Sequence, residues 1–485
     1  MSADAVTAHL EHPLARGHVP AGGHTGAAGG AACGDLVRVT VALAPGDPRG
    51  LIADAGFDAS GCLAAIAAGS AAVSLVRDRP LLCAARVGAQ EIAEELGGLL
   101  PATRHAAELA ADALHRALGA AARADAALAR ALGRTLVAMS GGVDSAVAAL
   151  LVAAAGDDAV AVTLELWADP ANDGDRSCCS AQAVRGARAL AHRLGLPHLS
   201  LDLREEFRAG VVDPWLSAHA AGLTPNPCVL CNGSVRLDAM IAFADRLGAE
   251  ALATGHYARL DERGGETLLR IAADPAKDQS YMLAALAPDA LARLRFPLGE
   301  LHKPQVRERA REAGLAVASK RDSQDLCFLA GTGRAAFLAR HGGLADRPGD
   351  VLDRDGAIVG RHQGHYGVTV GQRRGLGLGG GGDPHYVLAT DALANTITVG
   401  PRAALEVDRV NVRDVTLHWP GACVDRVRLR YRSRALACQA PAAAAGRHAT
   451  LALSLAEPAS GVAPGQLACL MSGELIVGHG TIARP

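Results

Sequence analysis

Between Leu136 and Leu151 the chain reads LVAMSGGVDSAVAALL: a short apolar run, then Ser140-Gly141-Gly142-Val143-Asp144-Ser145, then an alanine-rich run with helical character. A strand that leaves through two adjacent glycines and enters a helix at once turns backbone N–H groups outward, with the helix dipole behind them. That is an anion site. The glycines let the backbone close on a phosphate, and Ser140 and Ser145 offer further donors. Asp144 would repel a bare phosphate, so it either caps the helix or holds Mg²⁺. The loop has neither the Gly-Lys-Ser/Thr ending of a Walker A motif nor the spacing of a dinucleotide fingerprint.

The chain beyond the loop sets the fold class. Strand patterns at 159–167, 198–203 and 251–257 alternate with helical patterns at 181–195 and 235–248. Such alternation predicts an α/β domain with a parallel sheet covered by helices. After about residue 345 short alternating strands separated by Gly and Pro appear, among them AIVGRH, HYVLAT, TITVG, VRLRYRSR, HATLALSLA and LIVGHGTI; these predict β domains of barrel type. GLGLGGGGDP (375–384) reads as a loop. Upstream, LVRVTVAL (36–43) and LIADAGFDASG read as strands, and 62–77 and 105–132 as helices, the second leading into the next domain. The Gly/Ala/His-rich residues 1–30 read as a mobile entry.

Bulk properties exclude several classes. The formal net charge of −2 over 485 residues provides no global basic field, so any nucleic-acid surface is local. There is no signal-peptide pattern and no run of about 18 uncharged apolar residues, which predicts a cytoplasmic protein with no membrane span. Eleven cysteines in such a chain read as thiols, metal ligands or redox groups. Only three of the 48 basic residues are lysines, Lys277, Lys303 and Lys320, all within 44 residues of one another. An ammonium is a compact point charge that a planar guanidinium does not mimic.

TPNPCVLCN (224–232) presents Cys228 and Cys231 on a proline-stiffened loop, and DSQDLCFL (322–329) presents Cys327. ATGHYARL, KDQSYML and LHKPQVRERARE lie between them. GHYGVTVGQRRGLG, RLRYRSR and APGQ come later in the chain. In this order, and with SGGVDS, they resemble the tRNA-specific 2-thiouridylase (MnmA) family of PP-loop ATP pyrophosphatases, from about Thr135 to the C-terminus. The resemblance implies a Rossmann-like PP-loop domain over 132–345, a small β domain over 346–405 and a C-terminal β-barrel over 406–485. It implies tRNA-uridine 2-sulfurtransferase activity: ATP, with Mg²⁺, adenylates the C2 oxygen of the wobble uridine, and a cysteine persulfide supplies sulfur to give 2-thiouridine, AMP and pyrophosphate. Cys327 would carry the persulfide and Cys231 act as the nucleophile opposite it, the pair able to form a transient disulfide. Electropositive surroundings should favour their thiolates.

By the same resemblance Ala138, Met139, Ser140, Gly141, Gly142, Val143, Asp144, Ser145, Leu164 and Gly255 match ATP-binding positions. Asn226, Pro227 and Cys228 match the loop at the target base. His256, Lys277, Asp278, Gln279, Arg430, Tyr431 and Gln466 match tRNA contacts. Five arginines and a tyrosine in RVRLRYRSR independently suit an RNA backbone and splayed bases. Some members carry aspartate where this chain has Cys228, which puts that acid's role in doubt here. Cys228-x-x-Cys231 with Cys327 leaves two readings: a persulfide and disulfide trio with a spare thiol, which is favoured, or an open-site [4Fe–4S] cluster.

Residues 1–125 lie outside that family's pattern. AACGD, SGC and TRHAAELAADAL resemble the IscU/NifU iron–sulfur scaffold family, an α+β domain. Cys33, Asp35, Cys62 and His105 match its ligands, while Ala106 stands where a third cysteine is expected. The four form a tetrahedral Zn²⁺ set; the alternative is a docking domain without metal. The implied partners are tRNA and a cysteine desulfurase or sulfur relay protein. Two other functions stay open: another AMP-forming PP-loop enzyme, and an iron–sulfur or sulfur-carrier scaffold.

Overall fold

In the computed structural model, residues 3–29, 34–169, 180–320, 322, 326–329, 331–376, 378 and 384–484 are described. Cys33 and parts of the 322–329 and 375–384 segments lie outside them. At the start of the chain β1 (His24–Gly29), β2 (Leu36–Leu43) and β3 (Ile52–Ser60) form an antiparallel sheet in that order. Helices Leu63–Val76 and Arg104–Ala124 pack on it. Then come β4 (Arg134–Ala138), β5 (Asp158–Glu165), β6 (His198–Asp202), β7 (Ala251–Ala253), the hairpin β8 (Arg259–Arg263) with β9 (Glu266–Arg270), and β10 (Leu294–Arg295). Strands β10–β7–β4–β5–β6 make a parallel five-stranded sheet in that order. The chain steps from β4 to β5 and β6 on one side, then returns to β7 and β10 on the other. Ligands bind outside the C-terminal strand ends at such a reversal, and the glycine-rich loop leaves β4 at that point.

Side chains alternate across this sheet as the pleat requires. Val137, Ala159 and Ala161 face a core shared with helices Val143–Ala154, Ala181–Arg193 and Lys303–Glu312. Leu136, Val160, Val162, Leu199 and Leu201 face the opposite core, which runs without a break into the N-terminal unit through Leu114, Leu118 and Ala121. A parallel sheet needs cover on both faces, and helix Arg104–Ala124 supplies part of it.

Two β units complete the chain. Four strands within 349–400 form a small sheet. In the C-terminal unit six strands close into a ring when Glu406–Leu417 pairs with both Gly446–Ser460 and Leu475–Ile482. The β8–β9 hairpin, from the nucleotide-binding part of the sequence, extends this sheet by pairing with Leu475–Ile482.

Several local expectations are corrected. Residues 1–30 are not simply a mobile entry: Ala3–Glu11 is a helix and β1 is a sheet edge. β1 lies directly on helix Arg104–Ala124 because Gly26 has no side chain to drive into Ala113 and Ala117. The helix expected over 105–132 stops at Ala124. Beyond it backbone N–H groups find tertiary partners instead: Leu128 donates to Arg246, Ala129 to Pro48 and Ala131 to Gly248. The 251–257 strand is only Ala251–Ala253. VRLRYRSR is a strand only within Arg426–Arg428, after which the chain turns and Arg432 adopts φ of 61°.

The N-terminal unit is fixed to the parallel sheet by buried charge. Arg116 donates twice to Glu165, at 2.8 Å each, and once to Ala27 O. Asp112 accepts from Arg185 at 2.7 Å and from Arg188 at 2.8 Å, with Arg188 almost fully buried. His115, His192 and His198 cluster beside them, and burial, followed by neighbouring cations, holds His115 and His198 well below the usual histidine range. Removing one partner of a buried pair strands the other. Asp112→Ala should therefore cost about 3–5 kcal/mol, read as a lower urea midpoint of the full-length chain; a loss under about 1 kcal/mol, the range of exposed pairs, would show that the pair does not hold the units together.

Candidate nucleotide and thiol site

The glycine-rich loop is closed by its own hydroxyls. Ser145 Oγ donates to Gly142 O and accepts from the Ser140 N–H, both at 3.1 Å, and Ser140 Oγ lies 3.3 Å away. Gly141 adopts φ of 68°, a left-handed conformation that suits glycine. Val143 and Asp144 begin the helix, with Gly142 as its N-cap. Gly255, just beyond β7, abuts the loop so closely that a Cβ there would sit 2.7 Å from Ser145 N. Ala138, Met139 and Leu164 are buried at the neighbouring strand ends.

Asp144 lies in the first turn of that helix and is held by an ammonium and a phenol. Both its oxygens accept from Lys303 Nζ at 2.7 Å, and Tyr257 OH donates to Oδ1 at 2.8 Å. Lys303 Nζ also reaches Asp322 Oδ1 at 2.9 Å. Asp322 in turn accepts from Lys277 at 2.7 Å and Arg307 at 2.8 Å, while Lys320 donates to Gly141 O at 3.0 Å. Burial pulls the Asp322 carboxyl up, but the two lysines outweigh it and hold it at about 2. Among the described residues both carboxylates thus take their partners from side-chain cations and a tyrosine. Lys303, Lys320, Asp322 and Tyr257 were absent from the sequence-derived site. The scarcity of lysine was the signal that could have found two of them.

The second centre is the cysteine segment. Residues 224–232 are not wholly a loop: Pro227–Cys231 is helical and runs through a π-turn, Asn232–Arg236, into helix Leu237–Arg246. Asn226 is the N-cap, its Oδ1 accepting from Cys228 N at 3.0 Å, and Pro227 takes the first helical position. Cys228 is half-buried and Cys231 buried. A second π-turn, Arg208–Val212, packs on the first, with Gly210 against Val235. Phe207 and Trp215 flank that second turn and hold Phe328 at ring distances of 5.9 and 5.3 Å. Cys231 and Cys327, the neighbour of Phe328, thus border one apolar core. Among the described residues, Cys228, Cys231 and Cys327 do not form a set of ligand atoms mutually within 4.8 Å.

Residues expected to touch tRNA fall into two groups. Arg430 is exposed on the turn after the Arg426–Arg428 strand, with Tyr431 half-buried beside it. The others bind partners within the protein, Lys277 through Asp322. Asp278 is buried and accepts from Arg428 at 2.6 Å, Ser280 and Ala272. Gln279 Oε1 accepts from Tyr257 N at 3.0 Å, and Gln466 Nε2 donates to Thr224 O. His256 is buried against Thr254 Oγ1 at 2.8 Å. Burial, with Arg236 nearby, lowers its pKa to about 3 and keeps it neutral.

Asp35, Cys62 and His105 offer ligand atoms all within 4.8 Å of one another. Cys62 Sγ lies 3.1 Å and His105 Nε2 2.9 Å from Asp35 Oδ2. Burial and the adjacent carboxylate push the Cys62 thiol up, so a bound metal would displace its proton. A thiol, an imidazole and a carboxylate fit zinc.

Four family models match: the NifU-like N terminal domain at residues 1–125, the tRNA methyl transferase HUP domain at 133–331, the tRNA methyl transferase PRC-barrel domain at 335–401 and the aminomethyltransferase beta-barrel domain at 410–482. A Rubrobacter xylanophilus protein named bifunctional protein NifU/MnmA is 42% identical over an alignment spanning 99% of this chain and 98% of that one. The chain belongs to the bifunctional NifU/MnmA family. Proteins named tRNA-specific 2-thiouridylase MnmA from Rhizorhabdus wittichii and Thermobifida fusca are 44% and 43% identical over 72% of this chain and cover 91% and 96% of their own lengths. The NifU-like part carries the Asp35–Cys62–His105 cluster, and the MnmA-like part carries the glycine-rich loop and the cysteine helix. No helix among the described residues is long and apolar enough to cross a membrane.

The geometry leads to two expectations. Gly255→Ala should displace the loop, costing about 1–3 kcal/mol as overpacking does and weakening ATP binding; calorimetric titration at wild-type affinity would show that the loop tolerates the methyl. Stability should also fall on acidification. His256 and His219, the latter lowered by burial to about 4, take up protons more readily when unfolded, whose histidine pKa is about 6.5. Their contribution is present above about 6.5 and lost as pH falls from there towards 4. Urea midpoints at pH 7 and pH 5 measure it, and equal values would contradict it.

Proposed function

We propose that the chain is a tRNA 2-thiouridylase that adenylates the wobble uridine and thiolates it from a cysteine persulfide. The observation that carries this reading is the match to the bifunctional NifU/MnmA relative along nearly the whole chain, within which SGGVDS lies at the strand–helix turn of the parallel sheet. Ala138 to Ser145, Leu164 and Gly255 cradle ATP. The glycine-rich loop binds pyrophosphate, and the C2 oxygen of uridine displaces it at the α-phosphorus. A carbonyl at C2 is a poor electrophile; its adenylate has AMP as leaving group.

Sulfur transfer then falls to the thiols. The terminal sulfur of a Cys327 persulfide bonds to C2 and AMP departs. Cys231 attacks Cys327 Sγ, the S–S bond to the transferred sulfur breaks, and a Cys231–Cys327 disulfide remains for a thiol reductant to reopen. A cysteine desulfurase or relay protein reloads Cys327. Asn226 and Pro227 fix the first helical turn at the target base, and Cys228 is a spare thiol. Arg430 and Tyr431 contact tRNA from the barrel. Lys277, Asp278, Gln279, His256 and Gln466 support tRNA binding by holding the segments that meet it.

The NifU-like part binds zinc through Asp35, Cys62 and His105, with Cys33 as fourth ligand. The metal would tie three chain segments together there. Metal analysis of the full-length protein should find about one zinc per chain, lost in Cys62→Ser. Retention of zinc in that variant would leave a docking role only.

Quantifying 2-thiouridine in tRNA from a deletion strain carrying each variant tests the whole reading. Cys231→Ser and Cys327→Ser should abolish it, Asp144→Asn should impair pyrophosphate release, and Cys228→Ser should retain substantial thiolation. About four irons per chain after anaerobic purification, lost with activity in all three cysteine variants, would replace the persulfide route with a cluster.

A further inference from the structure

Arginine supplies nearly all the positive charge of this chain, yet its three lysines converge on one place. Lys303 bridges Asp144 and Asp322, Lys277 binds Asp322, and Lys320 binds the Gly141 carbonyl. Arg307 joins them on Asp322. A further carboxylate, Asp274, takes the backbone N–H groups of Lys303 and Ala276 and faces His302 at 3.9 Å. Among the described residues three side-chain cations thus hold two carboxylates beside an anion-binding loop, and Lys320 is tied to the loop itself. Lys303 is buried, at 8% exposure, and its ammonium lies 2.7 to 2.9 Å from both carboxylates.

Resting on the adenylation reading above, we infer that Lys303 and Lys320 are the residues that receive the pyrophosphate leaving group. As the bond between the α-phosphorus and its bridging oxygen breaks, the electron pair passes to pyrophosphate, and the uridine oxygen bonds to phosphorus. Lys303 turns from Asp144 and Asp322 towards the oxygens on which that charge develops; no proton needs to move. Asp144, Asp322 and Tyr257 are positioning residues that keep the ammonium buried and aimed before nucleotide arrives. The geometry explains the use of lysine. A guanidinium fork pairs with one carboxylate in a fixed plane, whereas an ammonium can sit between two and rotate to a third acceptor.

The test uses full-length protein, ATP and substrate tRNA, following pyrophosphate release and its inhibition by added inorganic pyrophosphate. Lys303→Arg keeps the charge and should still fold, with a single cooperative melting transition. It should lower kcat for pyrophosphate release on the order of 10²-fold, as loss of one preorganised donor does, while KM for ATP changes far less. Inhibition by pyrophosphate should weaken at least about tenfold, the loss expected for one charge-assisted hydrogen bond. Lys320→Arg should weaken it similarly. Tyr257→Phe, which frees one side of Asp144, should shift pyrophosphate inhibition while retaining measurable turnover. Wild-type kcat and wild-type pyrophosphate inhibition in Lys303→Arg would overturn the inference alone. If the wild-type protein forms 2-thiouridine without releasing pyrophosphate, the adenylation reading falls first.

Discussion

A buried ammonium between two carboxylates holds the nucleotide loop in register. Serine hydroxyls can shape a glycine-rich turn, but they cannot fix it against the rest of the protein. Lys303 does so by tying Asp144, in the first turn after the loop, to the helix that Lys303 itself begins and to Asp322. The ammonium is thereby held beside the loop before any substrate arrives. Asp322 also lies five residues before Cys327, so the anchor of the phosphate site and the expected sulfur carrier share one short segment.

The β units are joined to this centre partly through residues that RNA binding was expected to use. Asp278 pairs with Arg428 of the barrel, Gln466 holds Thr224 ahead of the cysteine helix, and Tyr281 donates to Leu467 O at 2.8 Å. Such positions are constrained because they hold two units in one orientation. A substitution at Asp278 could therefore depress tRNA affinity without removing any contact to the nucleic acid, through loss of alignment.

Much of this was legible in the chain. Strands β2 and β5 and helix Ala181–Arg193 carry clean periodicities, and SGGVDS falls where a strand must hand over to a helix. The helix at Pro227–Cys231 was legible too, since Asn226-Pro227 is an N-cap followed by proline at the first helical position, but two prolines in four residues argued for a loop. Other features depend on distant partners. Helix Arg104–Ala124 ends early because Pro48, Arg246 and Gly248 bind the backbone of 126–132. Composition gave β1 no strand signal, because its glycine at 26 answers a helix more than eighty residues away. The meeting of Lys303 with Asp144 spans 159 residues, and no local pattern encodes it.

Helix Arg104–Ala124 is at once the end of the NifU-like part and a cover for the MnmA-like sheet. Covalent fusion turns that cover from a partner captured out of solution into a permanent neighbour. For a short flexible linker the effective concentration is on the order of millimolar; here the connecting residues are themselves hydrogen-bonded to both parts, so little entropy is left to lose. The interface can therefore be assembled from charge pairs and histidines, with modest intrinsic affinity, and still remain closed at any cellular abundance of the protein.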